Sequence, residues 1–295
     1  MKATLFLSML FVVLGCQSQP APKLPTNKDG NSLLWEISGK GLKKPSYLFG
    51  TFHMMCKDDI SFSNNLLSAM KGAEEVYFEM DLDDAANTLG AMFFMNMKNG
   101  NTLKALYTEE EFNRVNTFFK DSLHVALTSF QKMKPSFLEA FLYPKMMPCK
   151  NPSGVEQELM KIVGKEHKEI KGFETIAFQA SVFDSIPYTQ QAKSLLGSID
   201  SLAKYRAYFD TMMAVYKSQK LDQIEAMFNH PEFGMQDGLE FLLDKRNINW
   251  VEQLRKILPE KNIFIAVGAG HLVGNKGLIA LMRKEGYTVR PIRNE

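Results

Sequence analysis

The sequence predicts an α/β fold of mixed α+β character, in which one central sheet is built from the two ends of the chain. Short apolar segments rich in Val, Ile, Phe and Tyr are concentrated before residue 83 and after residue 261. Between them, apolar residues recur mostly at helical spacing, which indicates a large helical insertion at about 84–258. These observations favour one sheet that carries the insertion.

The strand predictions rest on apolar segments bounded by turn residues. Gly39, Gly41 and Pro45, for example, separate the first two segments. The predicted strands are Leu33–Ser38, Ser46–Phe52, Glu75–Leu82, Ile170–Phe173, Asn262–Val267 and Tyr287–Ile292.

The helix predictions rest on apolar spacing and capping residues. Thr108 with Glu111 forms a capping box, and Gly286 ends the last helix. The predicted helices are Ser61–Lys71, a Met- and Phe-rich helix from Asp83 or Asp84 to about Met97, Thr108 to about Leu123, the segments at about 135–147, 154–165, 175–185, 188–217, 220–228 and 237–257, and Lys276–Glu285.

Length and composition limit the possible classes of protein. The chain has 295 residues, enough for one large domain or two small ones, and its 45% hydrophobic and 23% charged residues exclude a disordered protein. Lys and Arg number 35 against 33 Asp and Glu, a net charge of +2. Because basic clusters are also missing from the sequence, no nucleic-acid partner is predicted.

The N-terminal segment has the pattern of an export signal. Residues 3–14 are apolar, follow Lys2 and run into Gly15-Cys16, and the stretch is too short for a transmembrane helix. This resembles a bacterial lipoprotein signal, so residues 1–16 are predicted to be a signal peptide with a lipidated Cys16, and 17–32 a flexible tether to a domain over 33–295. The predicted location is the cell envelope, anchored by lipid and facing the periplasm or the exterior. A plain secretory leader or a buried N-terminal helix are the alternatives.

The remaining cysteines agree with export. With Cys16 lipidated, Cys56 and Cys149 form an even pair. They could form a disulfide outside the cytoplasm or stay two separate buried thiols, because the sequence does not give the distance between their Cα atoms.

Two histidines follow apolar strands in the same way. Gly50-Thr-Phe-His53 and Gly268-Ala-Gly-His271 both have the pattern Gly-x-x-His directly after a predicted strand. A glycine permits a sharp turn at the sheet rim, and two such turns at neighbouring strand ends would bring two imidazoles within reach of one metal ion. Each pattern alone is weak evidence, and its duplication strengthens the prediction.

Glu79 is the candidate third member of this site. It lies late in an apolar strand and shares one strand face with Tyr77 and Asp81. A carboxylate there is costly unless a charged or hydrogen-bonding group meets it, and a cation held by His53 and His271 would do so. A buried structural ion pair is the alternative.

These residues also carry a family resemblance over about residues 33–293. The matching segments are Tyr47-Leu-Phe-Gly-Thr-Phe-His53, Val76-Tyr-Phe-Glu-Met-Asp-Leu82, Gly172-Phe-Glu-Thr175 followed by Gln179, Arg246-Asn247 before Trp250, Val267-Gly-Ala-Gly-His-Leu-Val-Gly274 and Gly286-Tyr-Thr-Val289. The chain resembles the TraB/PrgY/GumN family, which includes the animal Tiki metalloproteases. The resemblance implies an erythromycin-esterase/ChaN-like core and peptide cleavage that depends on a divalent metal, manganese or cobalt being favoured. Transferred by position, the metal site falls on His53, His271 and Glu79.

Two further residues are candidate catalytic groups beside Glu79. Glu174 follows a predicted strand at the entry of a helix, where a favourable interaction with the helix dipole is the alternative. Arg246 could position a substrate carboxylate or stabilise an oxyanion, or form a structural ion pair. The sequence contains no His-Glu-x-x-His helix, no phosphate-binding glycine loop and no Gly-x-Ser-x-Gly elbow.

The sequence therefore predicts a cell-envelope lipoprotein with a metal-dependent hydrolase site that acts on a peptide or protein substrate. Imidazole and carboxylate ligands also suit zinc or iron. The alternative is a lipoprotein that binds haem, metal or peptide without turnover, the ChaN-like relationship making haem plausible. The sequence does not predict an oligomeric state.

Overall fold

The computed structural model describes residues 24–27, 30–81, 93–230 and 238–295. The predicted signal peptide, Cys16 and most of the predicted tether lie outside these residues. So does most of the predicted Met- and Phe-rich helix. In the described part, the helical residues end at Phe94, three positions before the predicted end near Met97, and Asn96 forms an isolated antiparallel bridge with Met133.

The main sheet confirms the predicted class. Within the described residues it has six strands: β1 (Leu34–Ser38), β2 (Ser46–Thr51), β4 (Glu75–Met80), β6 (Glu169–Glu174), β7 (Ile263–Gly268) and β8 (Thr288–Pro291). Their order across the sheet is β6-β4-β7-β2-β1-β8. Strands β6, β4, β7 and β2 are parallel, and β1 is antiparallel to β2 and β8. The carboxyl ends of four parallel strands therefore meet at one edge of the sheet.

Helices fill the predicted insertion and flank the sheet. They are α1 (Asn64–Gly72), α2 (Leu103–Leu106), α3 (Glu109–Thr117), α4 (Pro135–Leu138), α5 (Tyr143–Met146), α6 (Val155–Lys165), α7 (Ile176–Val182), α8 (Tyr188–Asp200), α9 (Leu202–Ser218), α10 (Leu221–Phe228), α11 (Lys245–Ile257) and α12 (Leu278–Lys284). The capping box of Thr108 and Glu111 is present at the start of α3. The prediction of a single helix over 188–217 is wrong. The helix is interrupted at Ser201, a residue type that favours helix ends, and the segment forms α8 and α9.

Alternating residues of the central strands fill different cores on the two faces of the sheet. One face packs against α1 and α6, and the other against α11 and α12. The first core includes Leu34, Phe49, Val76, Phe78, Phe264 and Ala266, and the second includes Trp35, Leu48, Tyr77, Ile263, Ile265 and Val267. A further core lies inside the helical insertion, around Phe119 and Leu138.

A short second sheet and a disulfide join the segment after β2 to the segment before α6. Strands β3 (Met55–Cys56) and β5 (Pro152–Ser153) pair antiparallel. Cys56 and Cys149 are bonded, with Cα atoms 5.8 Å apart and a sequence separation of 93. Of the two alternatives left open by the sequence, the structure shows the disulfide.

The described helices are all too short or too polar to cross a bilayer. This finding covers residues 24–27, 30–81, 93–230 and 238–295.

Glu139 is a half-buried carboxyl group in the helical insertion, between α4 and α5. Burial raises the pKa of Glu139 to about 7. Tyr143, four residues later at the start of α5, also has a raised pKa, because of its burial and because the charge of Glu139 is near. Because the folded state holds the Glu139 proton more tightly than the unfolded chain does, ionisation of this group opposes folding.

We expect Glu139→Gln to stabilise the protein above pH 7. Wild-type stability is lost as the pH rises from the unfolded-state pKa of about 4.3 through the folded pKa, whereas a neutral amide avoids this loss. Urea unfolding should show the variant about 1–3 kcal/mol more stable at pH 8 and equal to wild type at pH 4. The exposed Glu260→Gln variant is the control. A gain that does not depend on pH would contradict the assignment.

Candidate functional site

The carboxyl edge of the parallel strands collects every candidate residue that the sequence analysis singled out within the domain. Glu174 ends β6, Glu79 lies one residue before the end of β4, His271 follows β7 and His53 follows β2. Ligands of open parallel sheets bind at this edge, because loops there diverge around the strand ends.

Gly268 is the point on which the three predicted metal-binding side chains converge. A Cβ atom at this glycine would lie 3.2 Å from Oε1 of Glu79, 3.6 Å from Nε2 of His53 and 3.7 Å from Cδ2 of His271. The backbone N–H of Gly268 also donates to Oε1 of Glu79 at 2.8 Å. Glycine therefore leaves room at the centre of the cluster, and its backbone contributes a donor.

Arg246, on α11, is the cation that compensates the buried carboxylates. Its Nη2 donates to Oε2 of Glu79 at 2.6 Å, and its Nε lies 3.1 and 3.0 Å from the two carboxylate oxygens of Glu174. The side chains of Arg246, Glu79 and Glu174 are 7%, 9% and 1% exposed. Glu79 shares its strand face with Tyr77, which packs in the core that α11 completes. This is why the carboxylate meets a residue of α11.

Glu174 supports Arg246 and faces inward. Its Oε1 also accepts a hydrogen bond from Nε1 of Trp250 at 2.9 Å, one helical turn after Arg246. Burial raises the pKa of Glu174, while its bonds with Arg246 act in the opposite direction. The guanidinium also lies over the Trp250 ring, 4.8 Å from its centre. Glu174 and Trp250 thus fix the orientation of Arg246.

His271 is held in one tautomer by Asn247. The amide nitrogen of Asn247 donates to the carbonyls of His271 and Lys276 at 3.3 and 2.9 Å, which leaves its oxygen to accept from Nδ1 of His271 at 2.7 Å. Nε2 is then the acceptor, and it lies 3.2 Å from Nη1 of Arg246. Burial lowers the pKa of His271 to about 3, so this imidazole is neutral at pH 7. Asn247 belongs to the family pattern of the sequence, but no local signal there indicates its bonds to His271.

Glu79 is ionised in spite of its burial. Burial alone would raise its pKa, but the neighbouring positive groups, His271 when protonated and then Arg246 and His53, lower the pKa below its usual range. Gln179 also donates to Oε2 at 2.9 Å. At neutral pH the site therefore contains a carboxylate with several hydrogen-bond donors.

His53 is the open side of the site. Its side chain is 73% exposed, and Nδ1 lies 2.7 Å from Oε1 of Glu156. The Glu156 carboxylate raises the pKa of His53 to about 9. Sequence reasoning missed Glu156, because an acidic residue in the first turn of a helix is common and no motif marks it.

The imidazole and carboxylate groups of the site are of the types that bind a divalent cation, and one pair of these groups has a suitable distance between its ligand atoms. Nε2 of His271 and Oε1 of Glu79 are 3.6 Å apart, close to the roughly 3.4 Å between two ligands of one tetrahedral ion. In the part of the chain that the structure describes, no group of three His, Cys, Asp or Glu side chains is arranged to hold a metal ion. Arg246 already contacts both His271 and Glu79, so it competes with a cation for these atoms.

Comparison with known proteins shows a family match over most of the chain. The TraB/PrgY/gumN family profile matches residues 33–291. The chain belongs to the TraB/PrgY/gumN family. That match includes every residue of the cluster described above, from His53 to His271.

Curated relatives are similar at low identity. The Metalloprotease TIKI homolog of Nematostella vectensis is 22% identical over 91% of this chain and 68% of its own length. Metalloprotease TIKI2 of Danio rerio is 23% identical over 90% of this chain and 61% of its own length, and Metalloprotease TIKI1 of the same species is 22% identical over 96% and 69%. The chain thus matches about two thirds of the length of these relatives. No solved structure gives a significant match, so the erythromycin-esterase/ChaN-like core stays a prediction.

We expect loss of the Arg246 charge to destabilise the fold strongly. Arg246→Met would leave Glu79 and Glu174 buried without their cation, which should cost about 3–5 kcal/mol in urea unfolding. Arg255→Met is the matched control, because Arg255 pairs with Glu285 on the surface and is 52% exposed. That variant should lose no more than about 1 kcal/mol. Equal losses in the two variants would contradict the role given to Arg246.

Proposed function

We propose that this protein is a hydrolase of peptide bonds that works with a divalent cation at the carboxyl edge of its sheet. The observation that carries the proposal is the convergence of His53, Glu79 and His271 on Gly268. Membership of the family and the names of the TIKI relatives support it.

The candidate residues take different roles in this proposal. His53 and His271 would hold the cation, with Glu79 as a third ligand or as the base that takes a proton from water. When bound, the cation would act as a Lewis acid, which would polarise the scissile carbonyl and lower the pKa of a water molecule. Manganese or cobalt is proposed from the family resemblance, and zinc or iron has similar ligand preferences.

The surrounding residues prepare the site for this chemistry. Asn247 keeps the proton of His271 on Nδ1, so that Nε2 stays an acceptor. Arg246, oriented by Glu174, carries a fixed positive charge beside Glu79, where it can stabilise negative charge that develops on a substrate oxygen. The open side at His53 gives the substrate access.

We further propose that the protein is exported and anchored in the cell envelope by a lipid on Cys16. The apolar residues 3–14 before Cys16 support this proposal. The disulfide of Cys56 and Cys149 also supports it, because such bonds persist in oxidising compartments.

Binding without turnover is the alternative function. Haem ligation by both histidines has little support, because His271 is 4% exposed and its Nε2 faces Arg246 and Glu79. A haem face could not reach this nitrogen unless Arg246 moved away. Peptide binding without cleavage is compatible with the open side at His53.

Peptide hydrolysis by the purified protein tests the proposal. We expect the protein to cleave quenched fluorescent peptides. Chelation of metal ions should abolish this cleavage, and added Mn²⁺ or Co²⁺ should restore it. Glu79→Gln should lower kcat/KM by a factor of about 10²–10⁴, because it removes the carboxylate that serves as ligand or base. Glu169→Gln, at the opposite end of neighbouring β6, is the control and should keep full activity.

Two outcomes would contradict the proposal. Cleavage at the wild-type rate in Glu79→Gln would show that the Glu79 carboxylate is neither a ligand nor a base in the reaction. Peptide binding without any cleavage, in the presence of each of the four metals, would favour the non-catalytic alternative.

A further inference from the structure

Glu156 is a half-buried carboxylate that touches the site from outside the sheet. Its side chain is 13% exposed, and its Oε1 accepts hydrogen bonds from Nδ1 of His53 at 2.7 Å and from Oγ1 of Thr51 at 2.5 Å. Both donors belong to the end of β2 and the turn that follows it. One carboxylate oxygen therefore joins this turn to the helix α6.

The backbone around Glu156 is packed directly on the turn that carries His53. The N–H of Val155 donates to the carbonyl of Phe52 at 3.0 Å. A Cβ atom at Gly154 would lie 2.7 Å from the carbonyl oxygen of His53, so only glycine fits there without a shift. The position of Glu156 relative to His53 is thus fixed by main-chain contacts on both sides.

A covalent clamp reinforces these contacts. The clamp consists of the Cys56–Cys149 disulfide and the β3–β5 ladder, in which Met55 pairs with Ser153. The N–H of Lys57 also donates to the carbonyl of Asn151 at 3.0 Å. Cys56 lies three residues after His53 and Cys149 lies seven before Glu156, so the clamp ties together the two segments that carry this pair.

We propose that Glu156 is a positioning residue for His53 and that the clamp keeps it in place. By accepting a hydrogen bond from Nδ1–H, Glu156 fixes the rotation of the ring and directs Nε2 towards Gly268 and Glu79. Carboxylates that orient a ligand or catalytic imidazole through its other nitrogen act in this way. The role in chemistry rests on the proposed function, whereas the positioning itself does not.

A general helix-capping role is the competing explanation, because acids in a first helical turn interact favourably with the helix dipole. Glu158 offers a matched control for this. It lies in the same first turn of α6, and its carboxylate bonds to Ser153 and Lys161 at 2.6 and 2.7 Å. A capping role predicts similar effects for both glutamates, and a positioning role predicts an effect on His53 from Glu156 alone.

The test is NMR of the full chain with ¹⁵N-labelled histidine and without added metal. The Nδ1–H signal of His53, assigned with His53→Ala, should exchange slowly with water in the wild type. Exchange should be about tenfold to a hundredfold faster in Glu156→Ala, with partial rescue in Glu156→Gln, because a charge-assisted hydrogen bond is lost or weakened. Glu158→Gln should leave the signal unchanged. Wild-type exchange in a folded Glu156→Ala variant would overturn the positioning role.

The clamp is tested by the double variant Cys56→Ser/Cys149→Ser. We expect faster exchange at His53 while far-ultraviolet circular dichroism stays that of the wild type. A folded double variant that keeps slow exchange would show that the disulfide is not needed. A double variant that fails to fold would show that the disulfide serves the whole fold, which would overturn its assignment as a clamp for this pair.

Peptide hydrolysis separates this proposal from the proposed function. We expect Glu156→Ala to lower kcat about tenfold or more with little change in KM, and to have no further effect in a His53→Ala background. Slow exchange that depends on Glu156 in a protein without any peptidase activity would contradict the proposed function and support positioning. Cleavage that depends on His53 but not on Glu156 would support the proposed function and contradict the positioning role of Glu156.

Discussion

The buried pairing of Arg246 with Glu79 and Glu174 is the constraint on which the site depends. Two carboxylates in a nearly dry environment are tolerated because one guanidinium donates to both. The same guanidinium lies beside Nε2 of His271 and over Trp250, so it also sets the position of α11 against the strand ends. Fold stability and site geometry therefore depend on the same side chain.

Sheet topology brings the other residues together. His53 and His271 are separated by most of the chain, yet β2 and β7 are parallel neighbours whose carboxyl ends lie side by side. Strand β4 lies on the other side of β7 and delivers Glu79 to the same edge. The helical insertion then adds α6 and Glu156, which contact His53 at the open side of the site.

Local patterns predicted the sheet and the convergence of its ends well. The repeated Gly-x-x-His after apolar strands placed His53 and His271 correctly at neighbouring strand ends, because the strand and the turn are both encoded by nearby residues. Glu79 was recognisable because a carboxylate is unusual in so apolar a strand.

Contacts between segments that are distant in the chain could not be predicted from the sequence. Glu156 had the pattern of an ordinary first-turn acid, and its bond to His53 depends on how α6 packs on the turn after β2. The partner of Glu79 could equally have been a metal or an arginine, and only the packing of α11 shows Arg246 there. The disulfide and the helix break at Ser201 also depend on tertiary structure.

The most direct test is the anomalous difference map of a crystal of this protein grown with Mn²⁺. One strong manganese peak should lie between Nε2 of His53, Nε2 of His271 and the carboxylate of Glu79, next to Gly268. A map with manganese bound elsewhere, or with no peak at saturating Mn²⁺ while Arg246 still contacts both Glu79 and His271, would contradict a metal site built from these residues.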